Sequence, residues 1–189
     1  RKSFSGRKTH RPLPHRWVPR PGGAPRGADM RLFRPKPRAG VLFVCMGNIC
    51  RSPTAEGVFR HHARAAGIER YLRIDSAGTH ASLPNVPPDP RSVAAAARRQ
   101  YDITRVRARR IQPKDFEKFD FVLATDAKVL SALEAIRPPA FTGRMALLLD
   151  FAPDAAVREV PDPYYGGPEG FELVLDLVEQ AVRGLVPAV

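Results

Sequence analysis

Regular patterning begins at Gly40, where short apolar runs start to alternate with amphipathic stretches. Val41-Leu42-Phe43-Val44 has no polar break, as expected of a strand buried on both faces. A helix is predicted from Pro53 to Ala66. Ser52 is a good N-cap, Pro53 suits the first helical position because its missing N–H needs no partner there, and Gly67 supplies the stop. Tyr71 to Asp75 reads as the second strand, and a loop through Pro84, Pro87 and Pro88 leads to an Ala-rich helix from Pro90 to Gln100. After a long irregular connection come a third strand from Phe119 to Ala124, a helix from Asp126 to Ile136 and a fourth strand from Met145 to Leu149. The last helix runs from Pro168 to Gly184, with Phe171, Val174, Leu175 and Val178 on one stripe.

Strands alternating with helices predict the α/β class, here a three-layer α/β/α open sandwich around a four-stranded parallel sheet. Such sheets bind ligands beyond the carboxyl ends of their strands. Cys45 stands at such a point, directly after the first strand and before the first helix.

Composition divides the chain in two. A length of 189 residues with 43% hydrophobic content suits one α/β domain. The formal charge of +12 would point to a nucleic-acid or membrane partner if it were spread over a folded surface. Instead, residues 1–38 carry 12 Lys or Arg against the single acid Asp29, a net +11, and residues 39–189 carry only +1. The first segment also holds seven of the 20 prolines and no apolar period, so a disordered basic arm is expected there, followed by one folded domain over 39–189. An Arg-rich, acid-poor arm fits a transit peptide, a nucleic-acid arm or sequence ahead of the true start. Met30 and the lack of an amphipathic face favour the last. With no apolar run of membrane-spanning length and no signal-peptide core, the expected protein is cytoplasmic, with no membrane partner and nucleic-acid binding disfavoured. Cys45 and Cys50, five positions apart, suit a catalytic or redox pair better than a disulfide framework.

The stretch Cys45-Met46-Gly47-Asn48-Ile49-Cys50-Arg51-Ser52 puts a thiol, an arginine six positions later and a helix start into one short loop. Inward-pointing N–H groups and the positive end of the helix would hold a dianion where it is attacked. Arg51 brings a planar fork for two phosphate oxygens, and Gly47 and Asn48 tolerate the positive φ that a tight nest needs. The same surroundings favour the thiolate of Cys45, a nucleophile able to form a cysteinyl-phosphate. Because these donors meet the charge on the equatorial oxygens, no metal or other cofactor is expected.

Val41 to Glu56, V-L-F-V-C-M-G-N-I-C-R-S-P-T-A-E, resembles the signature of the low-molecular-weight protein tyrosine phosphatases. Asp162-Pro163-Tyr164-Tyr165 and the Asp75-Ser76-Ala77-Gly78-Thr79 turn are further marks of the resemblance, which extends from Gly40 to the C-terminus. It implies that Cys45 is the nucleophile, Arg51 the phosphate clamp and Asp162 the general acid that later activates water. Residues Met46 to Ser52 would bind phosphate, with Asn48, Ser52 and Ser76 holding the loop open. Ile49, Tyr164 and Tyr165 would line the substrate cleft, and Cys50 would trap an oxidised Cys45 as a disulfide. The implied partner is a phosphotyrosine protein, in bacteria including tyrosine kinases of polysaccharide export. Two departures stand out. His80, Ser82 and Leu83 occupy a stretch where many members carry an aromatic, and a loop-supporting histidine has no counterpart, Arg105 and Arg107 lying there instead.

Alternative activities are weaker. Arsenate reductases resemble this loop but use further cysteines, and none follows Cys50, so an external thiol would be required. Protein-arginine phosphatases resemble it too but tend to carry threonine where Ile49 stands; an apolar group there favours an aromatic ring. A phosphate-binding module without catalysis would need Arg51 but not Cys45 together with Asp162.

Overall fold

The computed structural model describes residues 37–189. The expected basic arm therefore lies outside the described residues except for Pro37 and Arg38. Arg38 is already anchored, its N–H donating to the Tyr71 carbonyl at 2.7 Å and its guanidinium lying 4.9 Å from the Tyr71 ring centre.

Four parallel strands form one sheet in the order β2-β1-β3-β4. They are β1 (Ala39–Cys45), β2 (Leu72–Gly78), β3 (Phe121–Ala124) and β4 (Arg144–Leu147). The helices are α1 (Arg51–Ala65), α2 (Pro90–Arg98), α3 (Ala127–Ile136) and α4 (Pro168–Leu185). β1 is central and buried on both faces because its side chains alternate between two apolar layers. Val41 and Phe43 pack with α1, α2 and α4, whereas Leu42 and Val44 pack with α3 and the segment around Phe116 and Phe119. Phe43 meets Phe59 of α1 with ring centres 5.5 Å apart, and burying each ring stabilises the fold by about 1.5–3 kcal/mol. This is the expected three-layer sandwich. The chain leaves β1 for β2 on one side, while β3 pairs on the other, so the end of β1 at Cys45 opens into the crevice where the strand order reverses. No helix among the described residues is long and apolar enough to cross a membrane.

Several boundaries differ from expectation, each for a local reason. The second strand starts at Leu72, with Tyr71 in a 3-10 turn, and continues to Gly78 through the residues expected to turn. Phe43, Val44 and Cys45 pair in register with Ser76, Ala77 and Gly78, so the polar Asp75-Ser76 step is held in the sheet by its buried neighbour. β3 begins at Phe121 because Asp120 turns back, its carboxylate accepting the Gly40 N–H at 2.6 Å. β4 stops at Leu147, and Leu148–Phe151 coil into a 3-10 turn that sends Leu148 into the core. α2 ends at Arg98, ahead of Gln100, which takes a left-handed φ of 64°. α4 runs past Gly184 to the fully buried Leu185. The stop after α1 is as read: Gly67 adopts φ 73°, its N–H donates to Arg64 O, and Ile68 N–H donates to Ala63 O, a Schellman closure.

Candidate active site

Cys45 closes β1 and is 2% exposed. The loop after it is turned inside out relative to an ordinary connection. Its carbonyls are engaged from outside: Thr79 N–H donates to Cys45 O, His80 N–H to Met46 O, Asp89 N–H to Ile49 O and Thr54 N–H to Cys50 O. From the loop backbone, the Asn48 N–H turns inward and donates to Cys45 Sγ at 3.2 Å. Left-handed backbone falls on Asn48, at φ 57°, and not on Gly47. Asparagine bears this conformation because its short amide can bond locally.

Ser52 is not the N-cap. The helix begins at Arg51, Cys50 takes the cap position with no side-chain cap bond, and Pro53 is the third helical residue. Pro53 remains harmless because the first four N–H groups of a helix have no partner within it. Ser52 is freed to face the sulfur, its Oγ 3.1 Å from Cys45 Sγ. The same oxygen accepts from Asn48 Nδ2 at 2.9 Å and lies 3.3 Å from Ala77 O. One hydroxyl proton serves either the sulfur or Ala77 O, and a thiolate would claim it.

The Asn48 amide is engaged at both ends, through both Nδ2 protons and through Oδ1. Nδ2 also donates to Ser76 Oγ at 3.0 Å, and Oδ1 accepts the backbone N–H of Arg109 at 2.9 Å. Ser76 then donates to Glu56 Oε2 at 2.7 Å. Glu56 is buried on α1, and desolvation pushes its carboxyl above the ordinary range, partly offset by Arg60 and the Ser76 hydroxyl. Hydrogen bonds therefore diverge from the Asn48 amide, through Ser76 of β2 to Glu56 of α1 on one side and through Ser52 to the sulfur on the other. Arg109, whose N–H meets Asn48, is itself held by its guanidinium bridging Asp75 at 2.9 Å and Asp115 at 2.9 Å. The structure brings Asn48, Ser52 and Ser76 together; Glu56 and Arg109 were not singled out, and neither Arg105 nor Arg107 bonds to the loop among the described residues.

Arg51, 5% exposed, points its guanidinium to the mouth, where NH1 meets Asp126 Oδ2 at 2.6 Å and Val160 O at 3.2 Å, and NH2 meets Asp162 Oδ2 at 2.7 Å. Asp126 was read only as a helix start; its other oxygen does cap α3 by accepting the Val129 N–H at 2.8 Å. Its place just after β3 puts it in the same crevice as Cys45, the one sequence signal that could have flagged it. Asp162 Oδ1 accepts the Tyr164 N–H at 3.1 Å, which fixes the carboxylate at the start of its turn. A slot of about 140 Å³ is lined by Cys45, Met46, Gly47, Ile49, Cys50, Arg51, Asp162, Tyr164 and Tyr165. Tyr164 and Tyr165 stand edge to face with ring centres 5.0 Å apart, Tyr165 being 96% exposed. Cys50 is buried, and loss of solvation is the main reason its thiol is pushed up to about 12. His80, Ser82 and Leu83 are all exposed, and Ser82 only donates back to His80 O.

A parallel α/β sheet that ends in a cysteine and arginine anion loop, beside a carboxylate and two tyrosines, defines the class of cysteine-dependent phosphomonoesterases. The family model of the low molecular weight phosphotyrosine protein phosphatases matches residues 40–189. A low molecular weight protein-tyrosine-phosphatase of Streptomyces coelicolor is 43% identical over 152 residues, 79% of this chain and 92% of that protein. Among solved structures, a protein tyrosine phosphatase of Entamoeba histolytica superposes with a TM-score of 0.75 at 34% identity, covering 79% of this chain and 95% of that one. Vibrio vulnificus Wzb, in complex with benzylphosphonate, gives 0.69 at 26% identity, covering 80% and 99%. The chain belongs to the low molecular weight phosphotyrosine protein phosphatase family and is a hydrolase of that class.

Proposed function

We propose that Cys45 attacks the phosphorus of phosphotyrosine in proteins, with Arg51 and the loop amides holding the phosphoryl oxygens and Asp162 serving as acid and then base. The observation that carries this reading is the convergence on one sulfur of the Asn48 N–H and the Ser52 hydroxyl, at the floor of a slot rimmed by Arg51, Asp162 and two tyrosines. The thiolate forms an S–P bond as the P–O bond to the tyrosine breaks, and Asp162 delivers its proton to the departing oxygen. A water then attacks phosphorus and passes a proton to Asp162, the S–P bond breaks, and phosphate and thiolate are released. In the structure Arg51 engages Asp162, so an incoming phosphate must take over that guanidinium, which frees the Asp162 carboxyl to face the departing oxygen. Asp126 keeps its hold on the other nitrogen and steers the fork. Met46 to Ser52 form the phosphate cradle, and Ile49, Tyr164 and Tyr165 flank the aryl ring, a reading supported by the benzylphosphonate bound to Wzb.

Residues 39–189 act as the catalytic domain, in the cytoplasm, where a reducing thiol pool keeps Cys45 and Cys50 in the free form they have here. A bacterial tyrosine kinase is the substrate that the family resemblance suggests. Turnover of p-nitrophenyl phosphate and a phosphotyrosine peptide in the presence of a chelator tests the chemistry. Cys45→Ser should abolish it, and Asp162→Ala should lower peptide kcat by about 10²–10⁴. A fully active Cys45→Ser enzyme would refute the assignment.

A further inference from the structure

The slot that holds Cys45 measures about 140 Å³, room for a phosphoaryl group and little else. Beside it lies a second cleft of about 890 Å³, and the two share Met46, Arg51 and Asp162 as a common wall. A cleft of that size falls in the range that encloses a sizeable ligand. Its far side is made by Lys128 in the first turn of α3 and by the Val157-Arg158-Glu159 stretch that leads to Asp162. Met46 and Val157 are 52% and 45% exposed there and offer apolar surface.

Charge on this wall is unevenly committed. Asp126 and Asp162 both engage Arg51, and Arg158 reaches Asp150 at 3.2 Å. Lys128, exposed, has no ion-pair partner among the described residues, and Glu159 is the one acid on the wall outside the catalytic group. Lys128 is thus a cation available to a ligand that enters from the slot.

We infer that this cleft receives the polypeptide next to the phosphotyrosine, and that it selects an acidic neighbour through Lys128 and an apolar one through Val157 and Met46. The inference rests on the catalytic reading above, because only a ring seated over Cys45 places the flanking chain against the shared wall. Lys128 and Val157 are then specificity-determining residues that never touch the phosphoryl group.

The test compares kcat/KM for two phosphotyrosine peptides, one with acidic and one with alanine neighbours, and for p-nitrophenyl phosphate, which fills only the slot. The wild type should favour the acidic peptide, and Lys128→Glu should depress that peptide about fivefold relative to p-nitrophenyl phosphate, leaving the alanine peptide the better of the two. Both side chains are exposed, and a glutamate in the first turn of α3 suits the helix dipole, so the fold should persist. Val157→Asp should weaken both peptides relative to p-nitrophenyl phosphate. Equal use of the two peptides by the wild type, or an unchanged ratio in Lys128→Glu, would overturn the inference while leaving the chemistry intact. A wild type inert toward p-nitrophenyl phosphate would overturn the catalytic reading and this inference with it.

Discussion

Replacing Gly78 by alanine would drive a methyl group into the backbone of the Cys45 loop. A Cβ built there lies 2.7 Å from Met46 O, 3.0 Å from Asn48 N and 3.0 Å from Gly47 C, where ordinary contact begins near 3.4 Å. Relief therefore requires a shift of about 0.7 Å between β2 and the loop, the difference between those two distances. The loop cannot yield cheaply, because Met46 O accepts the His80 N–H at 2.8 Å and Asn48 N–H is aimed at the sulfur at 3.2 Å. Overpacking of this kind costs about 1–3 kcal/mol, and a displacement approaching an ångström at the reacting atom costs up to roughly 10² in rate. Gly67→Ala is the matched control. At φ 73°, with nothing within 4 Å of the added carbon, it should lose about 1–2 kcal/mol to backbone strain without touching the site. Thermal unfolding and kcat for p-nitrophenyl phosphate, measured on both variants, separate the effects. Gly78→Ala should lose between about tenfold and a hundredfold in kcat, and Gly67→Ala should keep the wild-type rate at a comparable loss of stability. A Gly78→Ala enzyme with wild-type kcat would refute the view that β2 sets the loop geometry.

Three further outcomes follow from the same contacts. Asn48→Ala removes the donor to both serines, leaves the Arg109 N–H without its acceptor and puts alanine at φ 57°, so urea unfolding should show a loss of about 2–4 kcal/mol, with kcat falling as well. Glu56 has its carboxyl raised by burial, so its contribution to stability is fully present below the ordinary glutamate value and is lost as pH rises through the raised one. Glu56→Gln should therefore gain on the wild type as pH increases across that window, read as the difference in Tm, and a difference independent of pH would contradict the raised value. Peroxide converts the Cys45 thiolate to a sulfenic acid, which the Cys50 thiolate can attack to release hydroxide and form a disulfide. Since burial pushes Cys50 up to about 12, the fraction of activity recovered by added thiol should rise with pH in the wild type and be absent in Cys50→Ser, and full recovery by that variant would exclude the trap.

Local signals carried the fold and the heart of the site, and long-range pairing carried the rest. The apolar run of β1, the Gly67 stop and the Cys45 to Ser52 loop are contiguous, so periodicity and residue chemistry were enough to find them. The strand read as ending at Asp75, with a turn from there to Thr79 as a mark of the resemblance; Ser76 to Gly78 are strand because β1, buried on both faces, needs a partner along its full length. Arg109, Asp126 and Glu56 escaped notice for a different reason. A nearly neutral domain with 19 basic and 18 acidic residues reads as an evenly charged surface, and nothing local marks which charges turn inward. Arg109 reaches Asn48 across 61 positions, after the irregular connection has run back along the end of β2.

The misread cap at Ser52 bears directly on how the site works. A serine before a helix normally satisfies one of its free N–H groups, and losing such a cap costs about 1 kcal/mol. Here the hydroxyl is withdrawn to Cys45 and Asn48, Cys50 caps nothing, and the first turn holds no acidic residue that could compensate. The start of α1 thus has no side-chain cap among the described residues, which under the proposed function leaves its amide donors and positive end to the phosphoryl group. The guanidinium of Arg51 rises from the same turn and is held at the mouth by Asp126 and Asp162. A helix that forgoes its own cap is less stable by itself; under the function proposed above, a bound phosphoryl group would supply the missing acceptors where the sulfur attacks. Under that proposal, binding and catalysis draw on the same helix start, and the hydrogen bonds linking Glu56, Ser76, Asn48 and Ser52 tie the loop to α1 and β2.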